Sequence, residues 1–219
     1  MSGFRAAGAQ ALPPRLLAAL LAADRPAAET VIDDALEEHP DGIAILDDLL
    51  APAMREIGRL WSAGEISVAD EHLATAIAHA VLPRIYPSLT SGEPRTRGRV
   101  LLSGVDGEQH VFGLRMIADA LEGAGYDVRN VAGSLPPDGL ASAVRRHRPV
   151  LVGLADTMGS AQALRRAIDA VRSVDPSLPV LLGGAAADGA GGSERCEVCR
   201  NVRGALEAAE RLLSRAVAT

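Results

Sequence analysis

The sequence contains no lysine: all 22 of its basic residues are arginines, against 28 aspartates and glutamates. The absence of lysine excludes a P-loop nucleotide site and Schiff-base catalysis, because both depend on a lysine amine. The net charge of -6 also disfavours a nucleic-acid-binding surface, which needs concentrated positive charge. We therefore expect no direct binding to nucleic acid.

Aromatic residues and cysteines are also scarce. Aromatics make up only 2% of the chain, so alanine and leucine must fill most of the core. The two cysteines, Cys196 and Cys199, form a C-x-x-C pair, but residues three apart in a strand point to opposite faces. Such a pair is poorly placed to share a metal, and we interpret it as structural.

A membrane segment is not expected. The N-terminal run LLAALLAA is too short to cross a bilayer, and no signal-peptide cleavage pattern follows it. We therefore expect a cytoplasmic protein that has no contact with a membrane.

Two halves of the chain differ in the spacing of their apolar residues. Residues 14–90 show four helical patterns, and in the third the apolar residues recur at spacings of three and four. This stripe consists of Ile43, Leu46, Leu50, Met54, Ile57 and Trp61. The pattern predicts a four-helix bundle, preceded by an N-terminal tail over residues 1–13.

Helix boundaries can be placed in the second part of this bundle. Gly64 is suited to cap the end of the third helix, and Ser67 with Asp70 predicts a capping box at the start of the fourth. We expect Pro83 to end the fourth helix.

The second half of the chain shows a different architecture. A polar segment rich in Gly, Pro and Arg, over residues 91–98, is typical of an interdomain linker. Within residues 99–219, four apolar runs alternate with helical patterns, and a short fifth strand is expected near 195–199. The predicted fold class is α/β: a helical bundle followed by a Rossmann-like (flavodoxin-like) five-stranded parallel sheet. Ligands of such sheets bind beyond the carboxyl ends of the strands.

His110 lies in the first strand-to-helix loop of this sheet, where ligands are expected. Glu108 can accept the second ring N–H of its imidazole and fix the tautomer, as metal-bound histidines require. Gly113 lets a bulky group approach the start of the next helix. The residues indicate a ligand role for His110, although a carboxylate beside a histidine also occurs for structural reasons.

The segment E-Q-H-V-F-G, residues 108–113, resembles the D/E-x-H-x-x-G signature of cobalamin-binding domains. This resemblance implies that His110 is the lower axial ligand of cobalt, in place of the dimethylbenzimidazole base of the cofactor. The other cofactor-binding residues implied in this segment are Glu108, Gln109, Val111, Phe112 and Gly113.

Two further motifs of cobalamin-binding domains follow in order. About 42 residues later the family has S-x-L, and here Asp156, Thr157 and Met158 occupy its place, so the serine is missing. We expect Asp156 or Thr157 to hydrogen-bond the displaced nucleotide tail of the cofactor. The third motif is present as Gly183-Gly184, whose absent side chains would open a slot for the tail.

The helical half resembles the cap domain of CarH-type photoreceptors, which use adenosylcobalamin. Trp61, Glu71 and His72 reproduce their W-x9-E-H pattern, and a short helix-helix turn would let all three converge. The resemblance implies that the tryptophan packs over the upper corrin face and the glutamate contacts the adenosyl group. From the apolar stripe alone, Trp61 fits a core position better, and Glu71 and His72 fit a solvated first helical turn.

This resemblance implies a light sensor rather than an enzyme: visible light would break the cobalt–carbon bond and change the bundle. Ser62 stands where the better-known photoreceptors have a histidine that takes the upper cobalt position after illumination. Residues 1–13 are too short to encode their DNA-binding helix-turn-helix domain. We therefore expect output through homo-oligomerisation, as a dimer or a light-dependent assembly, or through a protein partner.

The main alternative is a corrinoid carrier protein of a methyltransferase system, which would keep the same architecture and the same His110 ligand. Such a carrier must leave its upper face open to partner enzymes, so the W-x9-E-H pattern favours the sensor. Some relatives of the photoreceptors bind a bilin as a second chromophore. The sequence carries no covalent attachment signature, which leaves noncovalent biliverdin as the form to test.

Overall fold

The computed structural model of the protein describes residues 12–90, 92, 94–159, 161–190 and 195–217. The chain divides into two compact units, residues 1–91 and 92–219. The tail expected over residues 1–13 lies outside the described residues, except for its last two positions, which begin the first helix. Two positions of the expected linker, 91 and 93, also lie outside them.

Helices account for the described part of the first unit. They are α1 (Leu12–Leu21), α2 (Arg25–Glu38), α3 (Gly42–Ala44), a π-helical segment (Ile45–Leu50), α4 (Ala51–Ser62) and α5 (Val68–Ile85). The segments from α3 to α4 follow one another directly and correspond to the third predicted helix. The long helices bury apolar side chains, among them Leu16, Ile32, Leu46, Ile57 and Ala78. The core of this unit is aliphatic, as the scarcity of aromatic residues predicts.

The turn between α4 and α5 has the predicted caps. Gly64 adopts a positive φ of 71°, which glycine allows without strain. The Ser67 hydroxyl accepts the Asp70 N–H, and the Asp70 carboxylate accepts the Ser67 N–H at 2.9 Å. This capping box fixes the first turn of α5, where Glu71 and His72 lie.

The prediction that Pro83 ends α5 is wrong. The helix continues to Ile85 and is followed by a short 3-10 turn, Tyr86–Ser88. A proline inside a helix costs about 3 kcal/mol, whereas burying one large aliphatic side chain stabilises by about 1.5–3 kcal/mol. Leu82 and Ile85, on either side of Pro83, are both buried. Their burial outweighs the cost of the proline, which itself lies exposed in the last helical turn.

A five-stranded, all-parallel sheet forms the centre of the second unit. Its strands are β1 (Arg99–Val105), β2 (Asp127–Leu135), β3 (Leu151–Ala155), β4 (Val180–Gly183) and β5 (Cys196–Val198). Its helices are α6 (Phe112–Gly123), α7 (Pro137–His147), α8 (Ala161–Arg172) and α9 (Val202–Val217). The strand order β2-β1-β3-β4-β5 is the flavodoxin-like order, which confirms the predicted fold class. The chain reverses direction across the sheet between β1 and β3, the point where such sheets bind ligands.

Each face of the sheet has its own apolar core. Leu101 and Val152 pack on one face with residues of α7 and α8, and Leu102 and Leu181 pack on the other with residues of α6 and α9. Cys196 belongs to the first core and Cys199 to the second, and both thiols are free and buried. The prediction that the two cysteines point to opposite faces is therefore confirmed.

The second strand differs from the run YDVRNVA in both position and length. It begins at Asp127, after the buried Tyr126, and continues to Leu135. Its pairing with β1 shifts register between Leu102 and Gly104, beside Ala132, which has a positive φ. The irregularity lets the strand extend three residues beyond the apolar run.

None of the helices in the described part of the chain has the length and hydropathy that a membrane span requires.

Candidate functional site

Three neighbouring strands end beside one another at the carboxyl edge of the sheet. His110 lies in the loop after β1, Asp156 follows β3, and Gly183 is the last residue of β4. The backbone N–H of Asp156 donates to the oxygen of Gly183 at 3.1 Å. The sheet therefore brings the three predicted motifs together at the point where the strand order reverses.

Glu108 is buried, and both oxygens of its carboxylate are engaged. Oε1 accepts the backbone N–H of His110 and lies 2.8 Å from Nδ1 of the same residue. Oε2 accepts the backbone N–H of Thr157, in the loop after β3. Gly104 provides the room for this side chain, since a Cβ at that position would lie 2.9 Å from the Glu108 Cβ. The carboxylate thus ties the β1 loop to the β3 loop.

These hydrogen bonds decide the charge of Glu108. Burial is the largest single influence and would raise its pKa, but the bonds from the His110 and Thr157 backbone and from the His110 ring outweigh it. The pKa of Glu108 therefore stays below its ordinary value, and the side chain is an acceptor at neutral pH. An acceptor at Nδ1 places the ring proton there and leaves the lone pair of His110 on Nε2.

His110 is accessible as well as oriented. Its side chain is 42% exposed, and Nε2 has no hydrogen-bond partner among the residues that the structure describes. A metal-binding histidine needs one nitrogen fixed by a carboxylate and the other open. The donor set of this loop therefore fits a single axial nitrogen ligand for cobalt, as the signature implies.

Asp156 holds the turn that follows β3. The residue is 1% exposed, and its Oδ1 accepts the N–H of Gly159. Its other oxygen, Oδ2, is buried and has no hydrogen-bond partner within the described part of the chain. Thr157 and Met158 are exposed beside it, so of the three residues in the place of S-x-L only Asp156 is buried.

The two glycines after β4 have different roles. Gly184 has a φ of 87°, and a Cβ there would collide with the backbone of Asp156, so the fold itself requires this glycine. A Cβ on Gly183 would meet only the Cys199 Sγ, at 3.8 Å. A side chain would therefore fit at Gly183 and not at Gly184.

The start of α6 is also open on one side. Val111 precedes the helix, and Phe112 is buried in its first turn. Gln109 and Gly113 are exposed, and a Cβ on Gly113 would meet nothing within 4 Å. The surface beside His110 has room for a bulky group, as the sequence predicts.

The three residues of the W-x9-E-H pattern lie in the first unit, at the turn between α4 and α5. Trp61 is half-buried, so it is not the core residue that its apolar stripe favours. The Glu71 carboxylate is 19% exposed and is held by the Thr75 hydroxyl at 2.8 Å and by His72 Nδ1 at 2.5 Å. His72 itself is 73% exposed. Glu71 is thus held by two neighbouring side chains, whereas His72 lies in solvent, as the alternative of a solvated first turn predicts.

Sequence reasoning missed three residues of α5. Thr75 holds Glu71 from one turn further along, and Val68 and Leu73 are large apolar side chains that lie exposed on different sides of this helix. The spacing of four between Glu71 and Thr75 was a usable signal, because such residues are neighbours on a helix. The apolar residues of α5 are not confined to one face. That distribution was a second usable signal, because it predicts that some of them lie exposed.

Comparison with known proteins agrees with this geometry. Two family models, each described as a B12 binding domain, match residues 14–86 and 98–211. The chain belongs to the family of B12-binding domain proteins, and its cofactor is a cobalamin or related corrinoid.

Individual relatives include proteins of more than one function. The chain is 32% identical over 174 residues to the HTH-type transcriptional repressor CarH of Myxococcus xanthus, over 78% of this chain and 57% of the relative. It is 28% identical over 155 residues to the methanol–corrinoid protein of Methanosarcina barkeri, over 69% of this chain and 59% of the relative. The chain thus spans little more than half of either relative.

A solved structure has the same fold. The monomethylamine corrinoid protein of Methanosarcina barkeri matches with a TM-score of 0.74, covering 93% of this chain and 98% of that one. Its sequence identity is 16%, so the likeness concerns the fold alone.

Proposed function

We propose that this protein is a light sensor that uses adenosylcobalamin, with His110 as the lower ligand of cobalt. The observation that carries the proposal is the pattern of Trp61, Glu71 and His72, which lie at the turn between α4 and α5 and which the CarH-type photoreceptors share. Light-driven loss of the upper adenosyl group would alter the helical unit and, through it, self-association or binding of a protein partner.

The side chains at this turn support a covering role. Trp61 is half-buried, the Glu71 carboxylate is held in place, and Val68 and Leu73 expose apolar surface on the same helix. Val68 lies one turn before Glu71, so its exposed side chain adds apolar surface beside that carboxylate. An aromatic ring, aliphatic groups and a fixed acceptor together suit an adenosyl group, which is a flat base joined to a sugar with hydroxyl donors.

The sheet unit would supply the lower axial ligand of the cofactor. Glu108 keeps the His110 proton on Nδ1, so that Nε2 can bind the metal without losing a proton. Gly113 and Gly183 carry no side chain that would obstruct the ligand, and a Cβ at either position would collide with nothing. When bound, adenosylcobalamin would supply a corrin ring that absorbs visible light and a weak cobalt–carbon bond that this light breaks.

A switch requires contacts that differ between its two states. Trp61 and Glu71 would contact the adenosyl group in the dark and lose that contact after illumination. Ser62 offers no imidazole for the vacated position. We therefore propose that water or His72 takes that position, which gives a more reversible photoproduct than a histidine at residue 62 would.

The test is the visible spectrum of the purified protein with adenosylcobalamin, in the dark and after green light, with size-exclusion chromatography of both samples. The sensor predicts a histidine-ligated dark spectrum, a change on illumination and a change in assembly. His110→Ala should alter the dark spectrum and Trp61→Ala should abolish the assembly change. His147→Ala, at the far end of α7, should do neither. The same samples, titrated with biliverdin, test the second chromophore.

The second candidate function is that of a corrinoid carrier protein in a methyltransferase system. The similarity to the methanol–corrinoid protein and the absence of histidine at Ser62 favour it. A carrier would bind methylcobalamin as well as adenosylcobalamin and would show the same assembly before and after light. That combination of results would replace the sensor proposal.

A further inference from the structure

Three arginines at the end of α7 form a patch of positive charge in a chain whose net charge is -6. Arg145, Arg146 and Arg148 are all exposed. None of their guanidinium groups forms a hydrogen bond or an ion pair with another described residue. Among the other described arginines only Arg55 and Arg166 share this property, and they lie on different helices. Free guanidinium groups are therefore concentrated at one place in the sheet unit.

The neighbours of this patch add to its positive charge. The Arg99 guanidinium donates to the backbone oxygen of His147 at 2.9 Å and so lies at the end of α7. Arg99 and Arg129 share one carboxylate, that of Asp127, at 2.9 and 3.2 Å. Two positive charges thus meet one negative charge, and the balance adds to the charge of the patch. The exposed Val150, whose N–H donates to the oxygen of Arg99, adds an apolar side chain beside them.

The end of α7 does not need these guanidinium groups as caps. The backbone N–H of Arg148 donates to the oxygen of Val144, and Arg99 donates to that of His147. Positive charge near the carboxyl end of a helix is favourable. Repulsion among three guanidinium groups this close together opposes that gain. An anionic partner would remove the repulsion.

We propose that this patch binds an acidic segment of another protein, whose carboxylates pair with Arg145, Arg146 and Arg148. A guanidinium group binds a carboxylate through two parallel hydrogen bonds, and arginine clusters recognise acidic motifs in this way. The inference goes beyond the proposed function and depends on neither cobalamin nor light.

The position of the patch leaves the cofactor site open. The end of α7 lies beside the amino end of β1, where Arg99 begins the strand. His110 follows the carboxyl end of the same strand, which is about 20 Å long. A partner on the patch therefore need not cover the histidine.

Charge favours an acidic protein segment over two other partners. Nucleic acid needs an extended positive surface, whereas the three free guanidinium groups lie within one turn at a helix end. A second copy of this chain carries the same net charge of -6 and is repelled at long range. A short acidic segment of a protein that is not itself strongly acidic avoids both difficulties.

The experiment measures binding of a fluorescently labelled hexaglutamate peptide to the full chain, by fluorescence anisotropy at low ionic strength. Arg145→Gln/Arg146→Gln removes two free guanidinium groups and keeps Arg148, which ends the helix. Arg55→Gln/Arg166→Gln is the matched control, because it removes two equally free guanidinium groups elsewhere. We expect the first variant to bind about tenfold more weakly than the wild type and the control to bind within about twofold of it. Added salt should weaken binding to the wild type.

Folding is checked by thermal unfolding of both double variants. Both should melt with the wild type, because all four substituted side chains are exposed. Should Arg145→Gln/Arg146→Gln melt lower, Arg146→Gln alone provides the same comparison with Arg55→Gln.

Four results would overturn the proposal. They are no peptide binding at low ionic strength, an equal loss in the two double variants, tighter binding of a DNA duplex than of the peptide, and self-association that Arg145→Gln/Arg146→Gln abolishes. The third would assign the patch to nucleic acid, and the fourth, measured by size-exclusion chromatography, to a second copy of this chain. Because the titrations use ligand-free protein in the dark, a failure of light sensing leaves their result unaffected.

Discussion

Glu108 accepts a hydrogen bond from the backbone N–H of Thr157, a residue 49 positions further along the chain. The same carboxylate fixes the ring of His110, so this histidine is held by the loop after β3 as well as by its own loop. A backbone donor of this kind does not depend on the side chain of its residue. The loss of the S-x-L serine therefore leaves the support of the histidine intact.

Substitution of Glu108 should weaken the binding of the metal by His110 without abolishing it. In Glu108→Gln, the amide group cannot accept on both sides as the carboxylate does, and one of the two bonded loops loses its acceptor. Loss of such an outer partner typically costs about 10- to 100-fold in metal affinity. We expect a loss of this size for hydroxocobalamin, measured by absorption titration. Glu207→Gln, on the exposed side of α9, is the matched control, and equal affinities in the two variants would contradict the role of Glu108.

Gly183 and Gly184 should respond in opposite ways to alanine. Gly184→Ala forces a side chain into a positive φ and against the Asp156 backbone, so the free energy of unfolding should fall by about 2 kcal/mol or more. Gly183→Ala adds a methyl group in ordinary contact with Cys199 and should change stability by less than about 0.5 kcal/mol. Urea denaturation measures both values.

The effect of Gly183→Ala on cobalamin binding should differ from its effect on stability. Gly183→Ala narrows the expected slot, so its cobalamin affinity should fall although its stability does not. An unchanged affinity would show that the tail of the cofactor does not lie beside Gly183.

The capping box at the start of α5 should make the stability of the folded protein depend on pH. Hydrogen bonds from the Ser67 side chain and backbone lower the pKa of Asp70 below its ordinary value of 3.8. A carboxylate whose pKa is lowered by folding stabilises the folded state above its ordinary pKa and ceases to do so as the pH falls through the lowered one. Asp70→Asn should therefore melt lower than the wild type at pH 7, and the two curves should converge in acid.

Thermal unfolding followed by circular dichroism measures this difference. Asp48→Asn removes an exposed aspartate for which the structure gives no such partner among the described residues, and its melting temperature should follow the wild type at every pH. A constant difference between Asp70→Asn and the wild type across the pH range would mean that the charge of Asp70 contributes nothing.

The two cysteines should be chemically inert in the folded protein. Burial raises the pKa of the Cys199 thiol to about 11, so almost none of it is thiolate at pH 8. Cys196 is buried in the core of the opposite face. Mass spectrometry should detect no alkylation by iodoacetamide in native protein and two modified thiols in denaturant. Rapid labelling of the native protein, or a disulfide between the two, would contradict the structure.

Much of the fold follows from the sequence because it depends on local pattern. The alternation of apolar runs and helical patterns predicts the parallel sheet, and the period of two in a strand predicts the separation of Cys196 from Cys199. Pro83 misleads because its local preference is overruled by the burial of Leu82 and Ile85. The π-helical segment in the third helix carries no signal that we could use.

The site was predictable in its residue types and not in its contacts. His110, Glu108 and the glycines stand out through spacing and resemblance. The bond from Thr157 to Glu108 is invisible in the sequence, because any residue at position 157 other than proline supplies the same N–H. The unpaired oxygen of Asp156 is invisible for the opposite reason, since only the packing of the loops shows that no described residue donates to it.

The orientation of the His110 imidazole has a consequence for the cost of cofactor binding. Because Glu108 fixes the ring within the folded sheet unit, the entropic cost of aligning it is met during folding and not on cofactor binding. A histidine that is oriented before a ligand arrives loses little further freedom when it binds a metal.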